Sequence, residues 1–379
     1  MLAGRIEPGA GQPAFSYLSH GDDGFVNSDG NYWPASSVKL IAAVGALTTL
    51  RAHGLTGDAR VEVEDGSVRW RKKVERLYAA AITESSNLAY DRLIRVAGFD
   101  AINQELLTEE RGFRHGSFGR SFAPRWDNTP LRESPEMRFT EGDSQEVLPA
   151  RSGNYRPEGC PARDNCFSLF ELLDSLGRVV LHDDLPSEQR FDLDPLDVRR
   201  LKLFLTQSAT GFGESAEQIL GDQTRIFNKR GYSPAFDMID HALIVNQRSG
   251  KRYLLAASVR IKQRDKALAV KELARLGAHA LWQIASREPG GVLLQRDAGD
   301  VIAFDAEAVS GETMSVTASV DADAHVDRLE LYRGRELVGA FDGTCVDAQV
   351  PVPVERDIFV VQAYLEGELV GYRAVEVGV

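Results

Sequence analysis

Long hydrophobic runs are missing from this chain. No apolar stretch reaches the roughly 18 to 20 residues that span a bilayer, and Ile41 to Leu50 is too short to do so. An export signal is not evident either, because Met1-Leu2-Ala3-Gly4-Arg5 has no apolar h-region. Basic charge is short as well. The 379 residues carry 44 Lys+Arg against 56 Asp+Glu, a net charge of −12. That argues against a nucleic-acid partner, which would require a basic patch. Cysteine is scarce. Cys160 and Cys166 share a loop with Pro and Gly and are able to bridge in an exported protein, while Cys345 stands alone. No metal-ligand spacing appears among cysteines and histidines, and the seven histidines are scattered. Each histidine reads as a surface or satisfied core residue, and no metal or other cofactor is expected.

What is present is ample apolar material, 43% of residues, enough for a sizeable core and against global disorder. The charge is unevenly spread. Residues 287–379 hold 18 acidic side chains against seven basic ones, all arginine, whereas the first 286 residues are nearly balanced. Such a shift marks a separate C-terminal domain. Arg287-Glu288-Pro289-Gly290-Gly291 is the natural linker. Beyond it, short alternating runs separated by turns such as Asp342-Gly343 predict about seven strands, a small antiparallel β-sandwich of Ig-like type over 291–379.

The first part reads as strands, then helices, then strands, then a helix. Ala14 to Leu18 and Gly24 to Asn27, joined by Asp22-Asp23-Gly24, predict a hairpin. Helices are expected from Ser36, over Lys72 to Ile82, Leu88 to Val96, Asp100 to Leu107, Ser168 to Val180 and Pro195 to Thr206. Thr224 to Lys229, Met238 to Val245 and Tyr253 to Arg260 read as strands, and Ala267 to Ser286 as an amphipathic helix. The stretch Glu110 to Asn165 shows little periodicity and reads as a long functional loop. The fold class is α+β: an antiparallel sheet flanked by helices, with a mostly helical subdomain.

The chemistry is carried by three short motifs in order. Ser36-Ser37-Val38-Lys39 opens a helix that is hydrophobic nearly all round and therefore belongs in a core. Residues three apart share a helix face, so Lys39 lies one turn from Ser36. A serine hydroxyl needs a base to take its proton. A lysine becomes one when burial and a cationic neighbour lower its pKa. Free N–H groups at the helix start suit a developing oxyanion. Ser85-Ser86-Asn87 and Lys229-Arg230-Gly231 follow. Alone, each motif has a plain structural reading. Ser36 is equally a helix N-cap, Lys39 a side chain that carries its ammonium to water, Ser85-Ser86-Asn87 a helix cap, and Lys229-Arg230-Gly231 a strand end.

The ordered set Ser-x-x-Lys, Ser-x-Asn, Lys-x-Gly resembles the penicillin-recognising serine enzymes, the class A β-lactamases and DD-peptidases. The resemblance covers about residues 12–286 and implies a β-lactamase-like serine hydrolase domain. It implies that Ser36 is the acylated nucleophile, that Lys39 is its base or shares that task through water, and that Ser85 is a proton relay to the leaving group. Asn87 would hold the substrate amide, Lys229 the substrate carboxylate, and the N–H groups of Ser36 and Tyr232 the oxyanion. Gly231 completes the third motif. The implied substrate is a β-lactam or a related small or peptidoglycan-like amide or ester, and the implied location periplasmic or secreted, with a cytoplasmic one left open.

Four departures stand out. Ser86 occupies the place where the β-lactamases usually carry aspartate. Arg230 follows the lysine where threonine or serine is usual, and either binds the substrate carboxylate bidentately or points away. Tyr232 is large for its place and narrows the site. No loop carboxylate has the Glu-x-x-x-Asn context of a deacylating base; the candidates are Asp127, Glu133, Glu136, Glu141, Asp143 and Glu146. Without that base, an acyl-enzyme clears slowly. Two other functions therefore stay open: a penicillin-binding or sensing protein with little turnover, and a sandwich domain that binds a wall polymer or a protein partner.

Overall fold

The structure, a computed structural model, describes residues 1–8, 12–19, 34–65, 68–122, 132–155, 160, 165–220, 223–233, 237–260, 265–285, 302–308, 312–320, 326–333, 336–352, 357–365 and 368–377. The chain divides into two compact units, Met1–Ile284 and Ala285–Val379. The first is mixed α+β, with helices packed on an antiparallel sheet.

The main sheet begins earlier than the sequence suggested. Leu2–Pro8 is strand β1, and it pairs antiparallel with β2, Pro13–Ser19. Ala14 to Leu18 is thus a strand, with β1 as its described partner, and Gly24 to Asn27 lies outside the described residues. A 3-10 turn, Ala35–Val38, leads into α1, Lys39–Ala52. Ten of the fourteen residues of α1 are buried, as its unbroken apolar character requires.

A second sheet follows. β3 (Arg60–Asp65) and β4 (Val68–Lys73) form a hairpin before α2 (Val74–Thr83) and α3 (Asn87–Ala97). α4, Phe99–Ala101, runs into a π turn at Ile102–Leu106. The stretch expected to be one loop instead carries four strands: β5 (Glu133–Ser134), β6 (Met137–Glu141), β7 (Ser144–Leu148) and β8 (Arg151–Ser152). β6 pairs with β3, so the hairpin β6–β7 completes a sheet ordered β4-β3-β6-β7. The cause is plain in hindsight. Val61, Val63, Met137 and Phe139 are buried and alternate with outward-facing charged or polar residues.

α5 (Leu169–Val180) opens with a capping box between Ser168 and Glu171. α6 is Pro195–Gln207 and α7 is Gly213–Leu220. Then come β9 (Thr224–Asn228), β10 (Gly231–Tyr232), β11 (Asp237–Asn246), β12 (Arg252–Arg260) and α8 (Lys266–Ala285). The main sheet runs β10-β11-β12-β1-β2, and β9 also pairs with β11. Asn228 faces Ala242 and Gly231 faces Ile239, so β9 and β10 share one register. One sheet face, bearing Ile239, Leu243, Leu254 and Leu2, joins the core that includes α1 and α5. On the other face Leu255 and Asp240 meet α7, α8 and the turn before α7.

The second unit is all-β. Its strands are β13 (Ile302–Ala308), β14 (Thr313–Val320), β15 (Arg328–Arg333), β16 (Glu336–Asp342), β17 (Cys345–Pro351), β18 (Asp357–Leu365) and β19 (Glu368–Val377). They form two antiparallel sheets, β13-β14-β17 and β16-β15-β18-β19. Val316 and Val346 from one sheet share a core with Leu331, Phe359 and Val361 from the other.

Candidate active site

Three elements meet at Lys39. It opens α1 and is fully buried, so it does not carry its charge to water. Its Nζ donates to Asn87 Oδ1 at 2.7 Å, to Ser85 Oγ at 3.2 Å and to the Ser85 carbonyl. An ammonium has three donors, and all three are spent on the second motif. Ser36 stands one turn before it in the 3-10 turn, half-buried. Neither that turn nor α1 is capped by a side chain. The plain readings of Ser36 as a cap and of Lys39 as a surface lysine therefore fail.

The second motif divides its labour. Ser86 caps α3 by accepting from the Ala89 N–H at 3.2 Å. This occupies the serine that stands where aspartate was the usual residue, and leaves Ser85 and Asn87 to Lys39. Among the described residues, the non-glycine positions with positive φ are Ala35 at 46° and Ser85 at 55°. One directly precedes Ser36 and the other is the serine bonded by Lys39. Left-handed backbone at such residues costs of order 1–3 kcal/mol and gathers at functional sites.

The third motif closes the cluster. Lys229, also buried, donates to Ser85 Oγ at 3.1 Å and to the Arg230 carbonyl at 3.0 Å. The Ser85 hydroxyl thus lies between two amines. Gly231 is required by close approach: a Cβ there would stand 2.6 Å from the Pro34 carbonyl oxygen and 2.8 Å from the Ser37 nitrogen. The strand end and the turn bearing Ser36 are therefore in backbone contact.

Arg230 does not join this face. The shared register sets Lys229 opposite His241, with its N–H 3.3 Å from the His241 carbonyl oxygen, and Arg230 opposite Asp240. Alternation then turns Arg230 to the other side of the sheet from Lys229. Of the two expectations for Arg230, pointing away is the one this register favours. Tyr232 alternates to the same side, and its ring lies 5.7 Å from the Lys266 ammonium at the start of α8. Its side chain does not narrow the Lys229 face.

Burial sets the electrostatics. Desolvation, helped by the Lys229 charge and opposed by Asp91, lowers Lys39 to about 7. Desolvation also lowers Lys229, to about 8, with Asp240 opposing and Arg230 assisting. Near neutrality Lys39 is thus partly free amine while Lys229 stays mostly charged. One amine is suited to accept a proton and the other to present charge.

Four residues that shape the site were not singled out by the sequence. Asp240 is fully buried, bonded by Gly211 N–H, Thr210 and Asn228, and burial raises it to about 6. His241 is buried beside Lys229 with Nδ1 unpartnered, and burial holds it neutral, down to about 3. Asp91 lies one turn beyond Asn87 on α3. Phe122 places its ring centroid 5.5 Å from Lys39 Nζ. Spacing gave a signal only for Asp91, at i+4 from Asn87.

Among the described residues, the loop carboxylates do not gather at Lys39. Glu141 accepts from Thr56 N–H and Oγ1, beyond the far end of α1. Glu136 pairs with Arg138. Glu133, Asp143 and Glu146 are exposed in the β5–β8 region, and Asp127 lies outside the described residues. Cys160 and Cys166 form a disulfide, and Cys345 is free and exposed.

Two of the three motifs fall within the segment that matches a family model. Residues 6–146 match the model of the Beta-lactamase enzyme family. The chain resembles the penicillin-recognising serine enzymes. No curated protein matches it. Among solved structures, a protein named L2, in complex with relebactam, is 19% identical, with 75% of this chain and 91% of that one covered and a TM-score of 0.48. A β-lactamase from Burkholderia vietnamiensis is 17% identical, with 76% and 92% covered and a TM-score of 0.47. A class A β-lactamase from Bacteroides cellulosilyticus is 14% identical, with 74% and 91% covered and a TM-score of 0.44. Among the described residues, no helix is long and apolar enough to cross a membrane.

Proposed function

We propose that this chain is a serine acyl-hydrolase that forms an acyl-enzyme on Ser36 with a β-lactam or a related carboxylate-bearing amide or ester. The observation that carries the reading is the Ser85 hydroxyl held between two buried amines, Lys39 and Lys229, beside the turn that bears Ser36. Neutral Lys39 takes the Ser36 proton as Oγ attacks the carbonyl carbon. The N–H groups of Ser36 and Tyr232 hold the oxyanion, each donor contributing about 3 kcal/mol to the transition state. The proton passes from Lys39 through Ser85 to the leaving nitrogen, the C–N bond breaks, and an ester on Ser36 remains. Asn87 fixes the substrate amide, and Lys229 attracts its carboxylate.

The hydrolase domain is assigned to residues 12–286 and an Ig-like sandwich to 291–379, the latter a module for a wall or protein partner. The Cys160–Cys166 disulfide supports an oxidising, extracytoplasmic setting. A second reading, a penicillin-binding or sensing protein with little turnover, is favoured over rapid hydrolysis by the aromatic ring of Phe122 beside Lys39. A DD-peptidase or esterase activity uses the same chemistry. A chromogenic cephalosporin assay with Ser36→Ala as control tests the reading. Covalent labelling of the wild type alone is expected, and no labelling or turnover with any β-lactam overturns it.

A further inference from the structure

We infer that Phe122 shields Lys39 from the water that would hydrolyse the acyl-enzyme, so that this chain retains its acyl group. The inference rests on the acyl-enzyme reading above and concerns only the step after acylation.

Hydrolysis needs a water oxygen at the ester carbonyl carbon and a base to take its proton. The C–Oγ bond then breaks, the acid leaves and Oγ regains a proton. Lys39 lies one turn along from Ser36, and none of its surface is exposed. Ser85 and Asn87 close one side of its amine. The Phe122 ring closes another. An apolar ring offers a water no strong hydrogen-bond partner, so a water seated there would leave its polar groups unsatisfied.

The ring is firmly held. It stacks on Tyr90 with centroids 4.4 Å apart and planes 26° from parallel. Asp91, fully buried, takes the Phe122 N–H at 2.9 Å on one oxygen and the Ser121 hydroxyl at 2.5 Å on the other. With both oxygens engaged, Asp91 serves as a clamp and not as a base for water. The strap before Phe122 is tied again by Asn165. Its Oδ1 accepts from the Gly119 and Arg120 N–H groups, and its Nδ2 donates to the Tyr90 hydroxyl, which in turn donates to the Arg120 carbonyl. The same α3 that presents Asn87 to Lys39 thus holds the shield through Tyr90 and Asp91.

Phe122 is a positioning residue, and its test separates loss of shielding from loss of fold. Wild type, Phe122→Ala, Phe122→Tyr and Ser121→Ala are acylated with benzylpenicillin, freed of excess reagent, and followed by intact mass. Phe122→Ala is expected to shorten the adduct lifetime at least tenfold while changing the acylation rate less than threefold. Phe122→Tyr keeps the wild-type lifetime. Ser121→Ala removes one strap bond, disturbs the fold least, and is expected to shorten the lifetime two- to fivefold. Equal lifetimes in wild type, Ser121→Ala and a folded Phe122→Ala overturn the inference and leave the acyl-enzyme reading standing. Should Phe122→Ala not fold, an unchanged lifetime in Ser121→Ala overturns it. A wild-type adduct that clears within seconds also overturns it. Absence of any adduct on the wild type overturns both.

Discussion

Replacing Lys229 by methionine removes a buried charge while keeping most of the side chain's length, and it isolates the field that acts on Lys39. Both amines contact the Ser85 hydroxyl, at 3.2 and 3.1 Å, so the two nitrogens are at most about 6 Å apart. Two unit charges at that separation repel by roughly 3 kcal/mol at an effective dielectric of 20. Since about 1.4 kcal/mol corresponds to one pKa unit, the field is worth about two units. Desolvation is the larger cause of the low Lys39 value and survives the substitution. The sign follows directly. Removing the neighbouring cation makes protonated Lys39 less unfavourable, so its pKa rises from about 7. The assay is the pH dependence of Ser36 acylation by a β-lactam under single-turnover conditions. The wild-type rate should rise through about pH 7 as Lys39 loses its proton and fall above about 8 as Lys229 loses its own. In Lys229→Met the rising limb should move up by about one to two units and the falling limb should disappear. Weaker carboxylate binding would lower the rate at every pH without moving the limb. A rising limb that stays near pH 7 in the variant refutes the electrostatic account of Lys39.

Other perturbations separate packing, register and burial. Gly231→Ala sets a methyl against the Pro34 carbonyl and the Ser37 nitrogen; thermal unfolding should show a loss of about 1–3 kcal/mol, and acylation should fall with it. Arg230→Ala should change acylation less than threefold, because the register turns Arg230 away from Lys229; a loss as large as that of Lys229→Met would contradict the placement. His241 binds a proton in the unfolded chain below about 6.5 but in the fold only near 3. The unfolded state therefore holds the extra proton between those values, and stability falls as pH drops through that window. His241→Asn should flatten that part of the stability–pH curve by about one proton, read from denaturant titrations between pH 6.5 and 4.

Much of the fold was legible where a period ran unbroken. α1, α3, α5, α6, α8 and strands β9, β11 and β12 follow from apolar spacing and turn residues; Lys39, Ser85, Asn87 and Lys229 share one hydrogen-bond cluster, and Gly231 lies against the turn that bears Ser36. β1 was missed because Gly4 and Arg5 interrupt a short apolar run whose partners, β2 and β12, enter from distant sequence. The β6–β7 hairpin was missed because its charged outer face hides a two-residue period carried by Met137 and Phe139. Register explains the remaining gap in the site. Which side of a sheet Arg230 takes depends on pairing with β11, and the proximity of Phe122 to Lys39 depends on bonds from Asp91 and Asn165. Neither is a local property of the chain.

The most direct test is peptide-mapped mass spectrometry of the chain after brief exposure to benzylpenicillin, beside Ser36→Ala. Opening a lactam expels no fragment, so the account predicts one adduct equal to the whole reagent mass, confined to the peptide containing Ser36 and absent from the variant. An adduct on any other residue, or an equal adduct in Ser36→Ala, would contradict it.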